Sequence, residues 1–128
     1  MTGDQHRAVA SKILLSLKKM TLPPDYRPVI EGAIVVAYHL GNAVFHDYQV
    51  SETDEHINIP SRSNLSKENL PNNARSAWHA FEALENLRIG YVRRFVPYND
   101  EVLTTLKRAM NDLAAAQASR NFELREIF

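Results

Sequence analysis

Apolar side chains recur every three to four residues through four stretches of the chain, and this spacing predicts four amphipathic helices. Prolines and capping residues mark their limits, because proline ends a helix and Asp or Asn side chains cap a first turn. The predicted helices span about residues 5–20, 25–48 with Asp25 as the cap, 73–95, and 99–118 with Asn99 as the cap.

The second predicted helix is apolar around most of its circumference, so we expect it to be the central helix. Gly32 and Gly41 lie inside it, and each costs about 1 kcal/mol relative to alanine. We interpret both glycines as positions where a neighbouring backbone approaches closely. The third helix is predicted to bury an apolar face that runs from Ala77 to Phe95.

A long polar connection, residues 50–73, separates the second and third helices, and we expect one extended piece and a single helical turn near Ser66–Leu70 within it. Residues 121–128 are amphipathic and predict a short C-terminal helical tail. The chain is therefore predicted to form one all-α domain over 1–128, a four-helix bundle. The short links favour up-down-up-down order, and a crossover through the long loop is the alternative.

Two polar stripes interrupt the apolar pattern on single helix faces. The interrupting side chains are Glu31, Val35, His39, Asn42 and His46 on the second helix, and Arg75, His79, Glu82 and Asn86 on the third. We interpret Glu31, His39, Asn42, His46 and Asn86 as a polar interface or pocket, where the two helices meet each other or a second subunit.

Composition narrows the possible functions. Lys plus Arg equals Asp plus Glu at 15 each, which argues against a dedicated non-specific DNA binder and permits oligomers. The absence of cysteine excludes disulfides and thiolate sites. The first residues carry no apolar signal segment, and the apolar run Ala33–Tyr38 is too short to span a membrane. We therefore expect a cytoplasmic protein with no membrane partner.

Histidine spacing bears on a metal site. His39 and His46 lie about 10 Å apart along one helix, too far to hold one ion by themselves. His79 and Glu82 reverse the Glu-x-x-His order used by di-iron bundles. The sequence therefore predicts no metal and no cofactor. A metal-binding or hydrolytic bundle built on His39, His46, His79 and Glu82 is the alternative.

A basic cluster ends the third helix and continues on the fourth: Arg88, Arg93, Arg94, Lys107 and Arg108. Tyr91, Phe95 and Tyr98 are interleaved with it. Basic and aromatic side chains together predict binding of nucleic acid or a nucleotide by charge and stacking. Alternatively, the cations complement a helix C-terminus and the aromatic rings belong to the core.

The run from Ala37 to His46, AYHLGNAVFH, resembles the second helix of HEPN-type bundles. The segment Leu87–Tyr91, followed by a proline break and a last amphipathic helix, is similar to the one before their final helix. The resemblance implies a four- to five-helix intracellular bundle that dimerises. It also implies a protein partner, since several members pair with nucleotidyltransferases in toxin–antitoxin modules.

The ribonucleases of that family carry Arg and His separated by four to six residues on a late helix, whereas Arg75 and His79 have three between them. We therefore expect a non-enzymatic, homodimeric interaction module that binds nucleic acid or a nucleotide. A divergent ribonuclease that uses Arg75 and His79 is a further alternative. Candidate catalytic residues are Arg75, His79 and Glu82.

Overall fold

The computed structural model describes residues 1–63, 67–117 and 122. Its four helices are α1 (Gly3–Leu17), α2 (Tyr26–Asp47), α3 (Asn72–Leu87) and α4 (Asp100–Ala116). Helices pack on helices, and these residues contain no strand, which confirms the predicted all-α four-helix bundle.

The central helix is α2, as predicted, because it packs against α1, α3 and α4. Its two glycines lie at close contacts, although side chains rather than a backbone make the approach. A Cβ on Gly32 would lie 2.5 Å from Cδ2 of Leu17, and one on Gly41 would lie 3.3 Å from Cδ2 of Phe81. The expected backbone approach is therefore wrong.

Helix ends differ from prediction by a few residues. Thr2 and Gln5 form a capping box, which starts α1 at Gly3. Asn99 caps α4 by accepting a hydrogen bond from the Glu101 amide, as predicted. Asp25 makes no such cap, since its carboxylate instead accepts from the amide of Thr21.

The third helix is shorter than predicted. Regular α-helical hydrogen bonding stops at Leu87, and Arg88–Arg93 continue as a π-helical segment. Phe95 lies beyond it with φ of 57° and is 67% exposed, so its predicted place on the buried face is wrong. The buried face of α3 is formed mainly by Ala77, Trp78 and Phe81.

The long connection between α2 and α3 is tied to the bundle by side chains. Asn42 is fully buried, and its amide oxygen accepts from the Ile57 N–H at 2.8 Å while its amide nitrogen donates to the Ile57 carbonyl at 3.0 Å. Near α3, Nη2 of Arg75 donates to the carbonyls of Glu68 and Leu70, both at 3.1 Å. We refer to the two hydrogen bonds between Asn42 and Ile57 as the Asn42 clamp.

Two 3₁₀ turns, Pro60–Arg62 and Lys67–Asn69, lie in the connection. The second falls within the predicted turn at Ser66–Leu70, of which Ser66 is outside the described residues. The predicted C-terminal tail also lies outside them, except for Phe122, which packs against the core.

By length and composition α2 could cross a membrane, yet 61% of its apolar stretch is buried in the bundle. The core helix of a soluble protein meets the same test.

Candidate metal centre

Four histidines meet at the end of the bundle where α1 begins and α2 ends. His6 comes from α1, His39 and His46 from α2, and His56 from the long connection. Nε2 of His6 lies 3.2 Å from Nε2 of His46 and 3.0 Å from Nε2 of His56. No two of these three ligand nitrogens are more than 4.8 Å apart. The other ring nitrogen of His6, Nδ1, lies 2.9 Å from Nδ1 of His39.

His6 occupies the packed face of α1. It shares this face with Ala10, Leu14 and Leu17, which follow at helical spacing, and only 1% of its surface is exposed. Its ring bridges the two turns of α2 that separate His39 from His46. The distance between those two residues therefore does not prevent a shared site, because the third imidazole comes from another helix.

The hydrogen bonds within this cluster depend on which ring nitrogens carry protons. Nδ1 of His46 lies 3.3 Å from the carbonyl of Ser51 and 3.1 Å from its hydroxyl oxygen. When Nδ1 of His46 carries the proton, it donates to the Ser51 carbonyl and the Nε2 lone pair faces His6. A single proton on Nε2 of His6 can serve His46 or His56, but not both. One cation between the three nitrogens would satisfy all of them.

Burial and repulsion between neighbouring rings favour the neutral forms of His6, His39 and His56. Burial, followed by the neighbouring His39, His46 and His56, lowers the pKa of His6 to about 3. Burial and the charge of His56 lower the pKa of His39, and burial, His46 and the N-terminal amine lower that of His56. Neutral imidazole is the form that binds metals, so the lowered pKa values of His6 and His56 favour cation binding at neutral pH.

Aromatic and charged neighbours hold the cluster in place. The Tyr38 ring centroid lies 6.0 Å from that of His6 and 4.9 Å from that of His39, and burial raises the Tyr38 pKa. Arg7, next to His6, donates from Nη1 to Asp47 at 2.8 Å and to Gln117 at 3.1 Å. These contacts fix the first turn of α1 against the end of α2.

The two predicted polar stripes do not converge. His39 and His46 enter the histidine cluster and Asn42 forms the clamp, but His79 and Asn86 are exposed on α3. Glu82 is partly buried on α3 and does not belong to the group of ligand atoms formed by His6, His46 and His56. The stripe on α3 is largely its solvent side, so the two stripes do not face each other between α2 and α3; an interface with a second subunit stays a prediction.

Two other candidates serve packing between elements. Glu31 on α2 accepts from Nε of Arg88 at 2.8 Å, and this pair joins α2 to the π-helical segment. Arg75 binds the backbone of the connection. Arg93, Arg94, Lys107 and Arg108, the remaining basic candidates, are exposed.

His6 and His56 were not among the candidates that the sequence suggested. His6 falls on the apolar stripe of α1, which is a detectable signal because a histidine at a core position needs polar partners. His56 begins the alternating piece His56–Ile59 and carries no comparable signal, since only the folded path of the connection brings it to His6.

Comparisons with protein-family models, curated proteins and solved structures give no match for this chain. Membership of the HEPN family, ribonuclease activity, a toxin–antitoxin partner, dimerisation, nucleic-acid binding and a cytoplasmic location therefore stay predictions.

Proposed function

We propose that this protein is a metal-binding helical bundle that holds one divalent transition-metal ion of the zinc class through Nε2 of His6, His46 and His56. The observation that supports this most strongly is the convergence of three imidazole nitrogens from three separate elements on one point. This proposal replaces the alternative set of His39, His46, His79 and Glu82 and drops the prediction that no metal is bound.

The spacing of the nitrogens supports a tetrahedral ion. Zinc binds imidazole nitrogen at about 2.0–2.1 Å, so two ligand nitrogens of a tetrahedral site lie roughly 3.3–3.4 Å apart. The His6–His46 and His6–His56 distances of 3.2 and 3.0 Å need only a slight expansion to reach this value, and the His46–His56 distance is at most 4.8 Å.

Groups behind the ligands support the same assignment. A metal-binding histidine ordinarily donates its other ring N–H to a carbonyl or another acceptor, which fixes its tautomer. His46 meets this condition if Nδ1 donates to the Ser51 carbonyl, and His6 meets it if Nδ1 donates to His39. In this arrangement His39 is a positioning residue for His6 and does not bind the ion.

Three protein ligands leave one tetrahedral position for water, which is the arrangement of catalytic zinc sites. The site therefore has the coordination of a hydrolytic centre. Imidazole also binds Cu²⁺ and Ni²⁺, so the relative affinities of the site for Zn²⁺, Cu²⁺ and Ni²⁺ decide which ion it holds.

The test is metal binding by protein purified without a histidine tag. After treatment with EDTA and buffer exchange, titration calorimetry with Zn²⁺ should give one equivalent per chain. His56→Ala should lower the affinity by about 100-fold or more, because loss of even an outer partner costs 10–100-fold. His56 is partly exposed, so this substitution leaves the core intact.

His79→Ala is the matched control, since it also removes one histidine but from the exposed side of α3. It should bind zinc as the wild type does. Equal affinity of wild type and His56→Ala, or no stoichiometric binding by the wild type, would refute the proposal.

A further inference from the structure

A second site lies away from the histidine cluster, in a cavity of about 120 Å³ between α2, α3, the π-helical segment and the connection. Ile34 and Phe81 form part of its apolar wall. Three arginines, Arg62, Arg88 and Arg93, and one glutamate, Glu85, also line it. Drug-sized ligands occupy about 300–1,000 Å³, so this cavity suits a smaller molecule.

The π-helical segment explains why two arginines line the same cavity. In an α-helix, residues five apart point about 140° away from each other. Hydrogen bonding from i to i+5 widens the turn and brings residue i+5 back above residue i. Arg88 and Arg93 are five apart within Arg88–Arg93 and both line the cavity. Such segments occur frequently at functional sites.

The charges around the cavity favour an anion. Three arginines and one glutamate line the cavity, and Glu31 accepts a hydrogen bond from Nε of Arg88. The other N–H groups of a guanidinium fork remain suited to paired oxygens of carboxylate or phosphate.

Glu85 adds a second requirement. Its Oε1 is buried, and no hydrogen-bond partner for it occurs among the described residues. A buried carboxylate oxygen without a donor is costly, so a ligand that supplies an N–H or O–H there would be favoured. A phosphodiester group offers oxygens but no donor of its own, so in a nucleic acid the donor to Glu85 would have to be a 2′-OH or a base N–H.

We propose that this cavity binds a small organic anion with a hydrogen-bond donor next to its anionic group, such as an amino acid or a phosphomonoester that carries an amine. The anionic oxygens bind Arg62 and Arg93, and the ammonium group binds Glu85. The proposal does not depend on a metal at the histidine cluster.

The test is titration calorimetry of the full chain in EDTA with three small probes and one polymer. L-Alanine represents the carboxylate source, phosphoethanolamine the phosphate source, and sulfate an anion without a donor. A single-stranded RNA decamer represents a phosphodiester. We expect one of the two donor-carrying probes to bind at least 10-fold more tightly than sulfate and the decamer.

Arg93→Ala should lower the affinity for that probe by about 10-fold or more, the usual cost of a lost hydrogen bond between charged groups. Arg94→Ala is the matched control, because Arg94 is an adjacent, exposed arginine and should change the affinity by less than about 2-fold. Circular dichroism establishes that both variants are folded.

Glu85→Gln is an independent test, because it should change the affinities for two of the probes in opposite directions. It should weaken the donor-carrying probe and strengthen sulfate, because it removes the negative charge near both. Failure of both donor-carrying probes to bind, tighter binding of the decamer, or equal effects of Arg93→Ala and Arg94→Ala would overturn the proposal.

Discussion

The buried His6 imidazole makes the stability of the metal-free bundle depend on pH. Its pKa falls from 6.5 to about 3 on folding, so between these values the unfolded chain binds a proton that the folded chain does not. Stability therefore rises with pH in this window and is lost as pH falls below 6.5. At pH 5, protonation of His6 in the unfolded chain favours the unfolded state by about 30-fold. The free energy of unfolding is therefore about 2 kcal/mol lower at pH 5 than at pH 8.

Urea unfolding in EDTA at pH 8 and pH 5 measures this contribution. Carboxylates also begin to titrate at pH 5, so the relevant quantity is the difference between wild type and His6→Gln, which has no ionisable group at this position. We expect the wild type to lose about 2 kcal/mol more than His6→Gln over the same interval. His79→Gln, an exposed substitution of the same kind, controls for the loss of a histidine and should lie close to the wild type.

A direct measurement covers the case in which His6→Gln does not fold. In an NMR titration of wild-type protein in EDTA, the His6 ring resonances should stay constant from pH 8 to pH 4.5. Titration of His6 near pH 6.5 would refute the lowered pKa, and so would a folded His6→Gln variant that loses as much stability as the wild type between pH 8 and pH 5.

Two substitutions outside the histidine cluster test the packing. Asn42→Ala leaves the Ile57 N–H and carbonyl without their partners, so it should lower the free energy of unfolding by about 2–3 kcal/mol in urea titrations. Asn86→Ala, an exposed control, should change the free energy of unfolding by less than about 0.5 kcal/mol. Equal losses in the two variants would contradict the role of the Asn42 clamp. Asp47→Ala removes a carboxylate from buried Arg7 and should lower the free energy of unfolding by about 2 kcal/mol, less than for a fully buried pair because Asp4 still binds Arg7. Exposed Asp112→Ala is the control. Equal thermal midpoints for the two variants would contradict a stabilising role of the Arg7–Asp47 pair.

Helical periodicity predicted the bundle because each helix buries one face, and burial requires the apolar spacing that the sequence displays. The all-round apolar character of α2 likewise predicted its central position. Periodicity did not predict the change at Leu87, since the spacing of apolar residues continues towards Phe95 while the backbone widens. Asp25 is similar, because a residue suited to capping can bind another amide instead.

The histidine cluster was only half visible in the sequence. His39 and His46 stood out on α2, but the site depends on how α1 is rotated against α2 and where the connection runs. Those are properties of tertiary packing, which one-dimensional spacing does not contain. The same limit applies to His79, because a polar stripe at helical spacing describes a solvent face as well as an interface.

The Asn42 clamp holds Ile57 between His56, which belongs to the histidine cluster, and Asn58, which lines the cavity next to Ile59 and Arg62. One short piece of backbone thus serves two sites. If both sites are occupied as proposed, any movement of this piece on binding one ligand changes the position of a residue at the other site. Thermodynamic reciprocity then requires that any factor by which zinc changes the affinity for the anion equals the factor by which the anion changes the affinity for zinc.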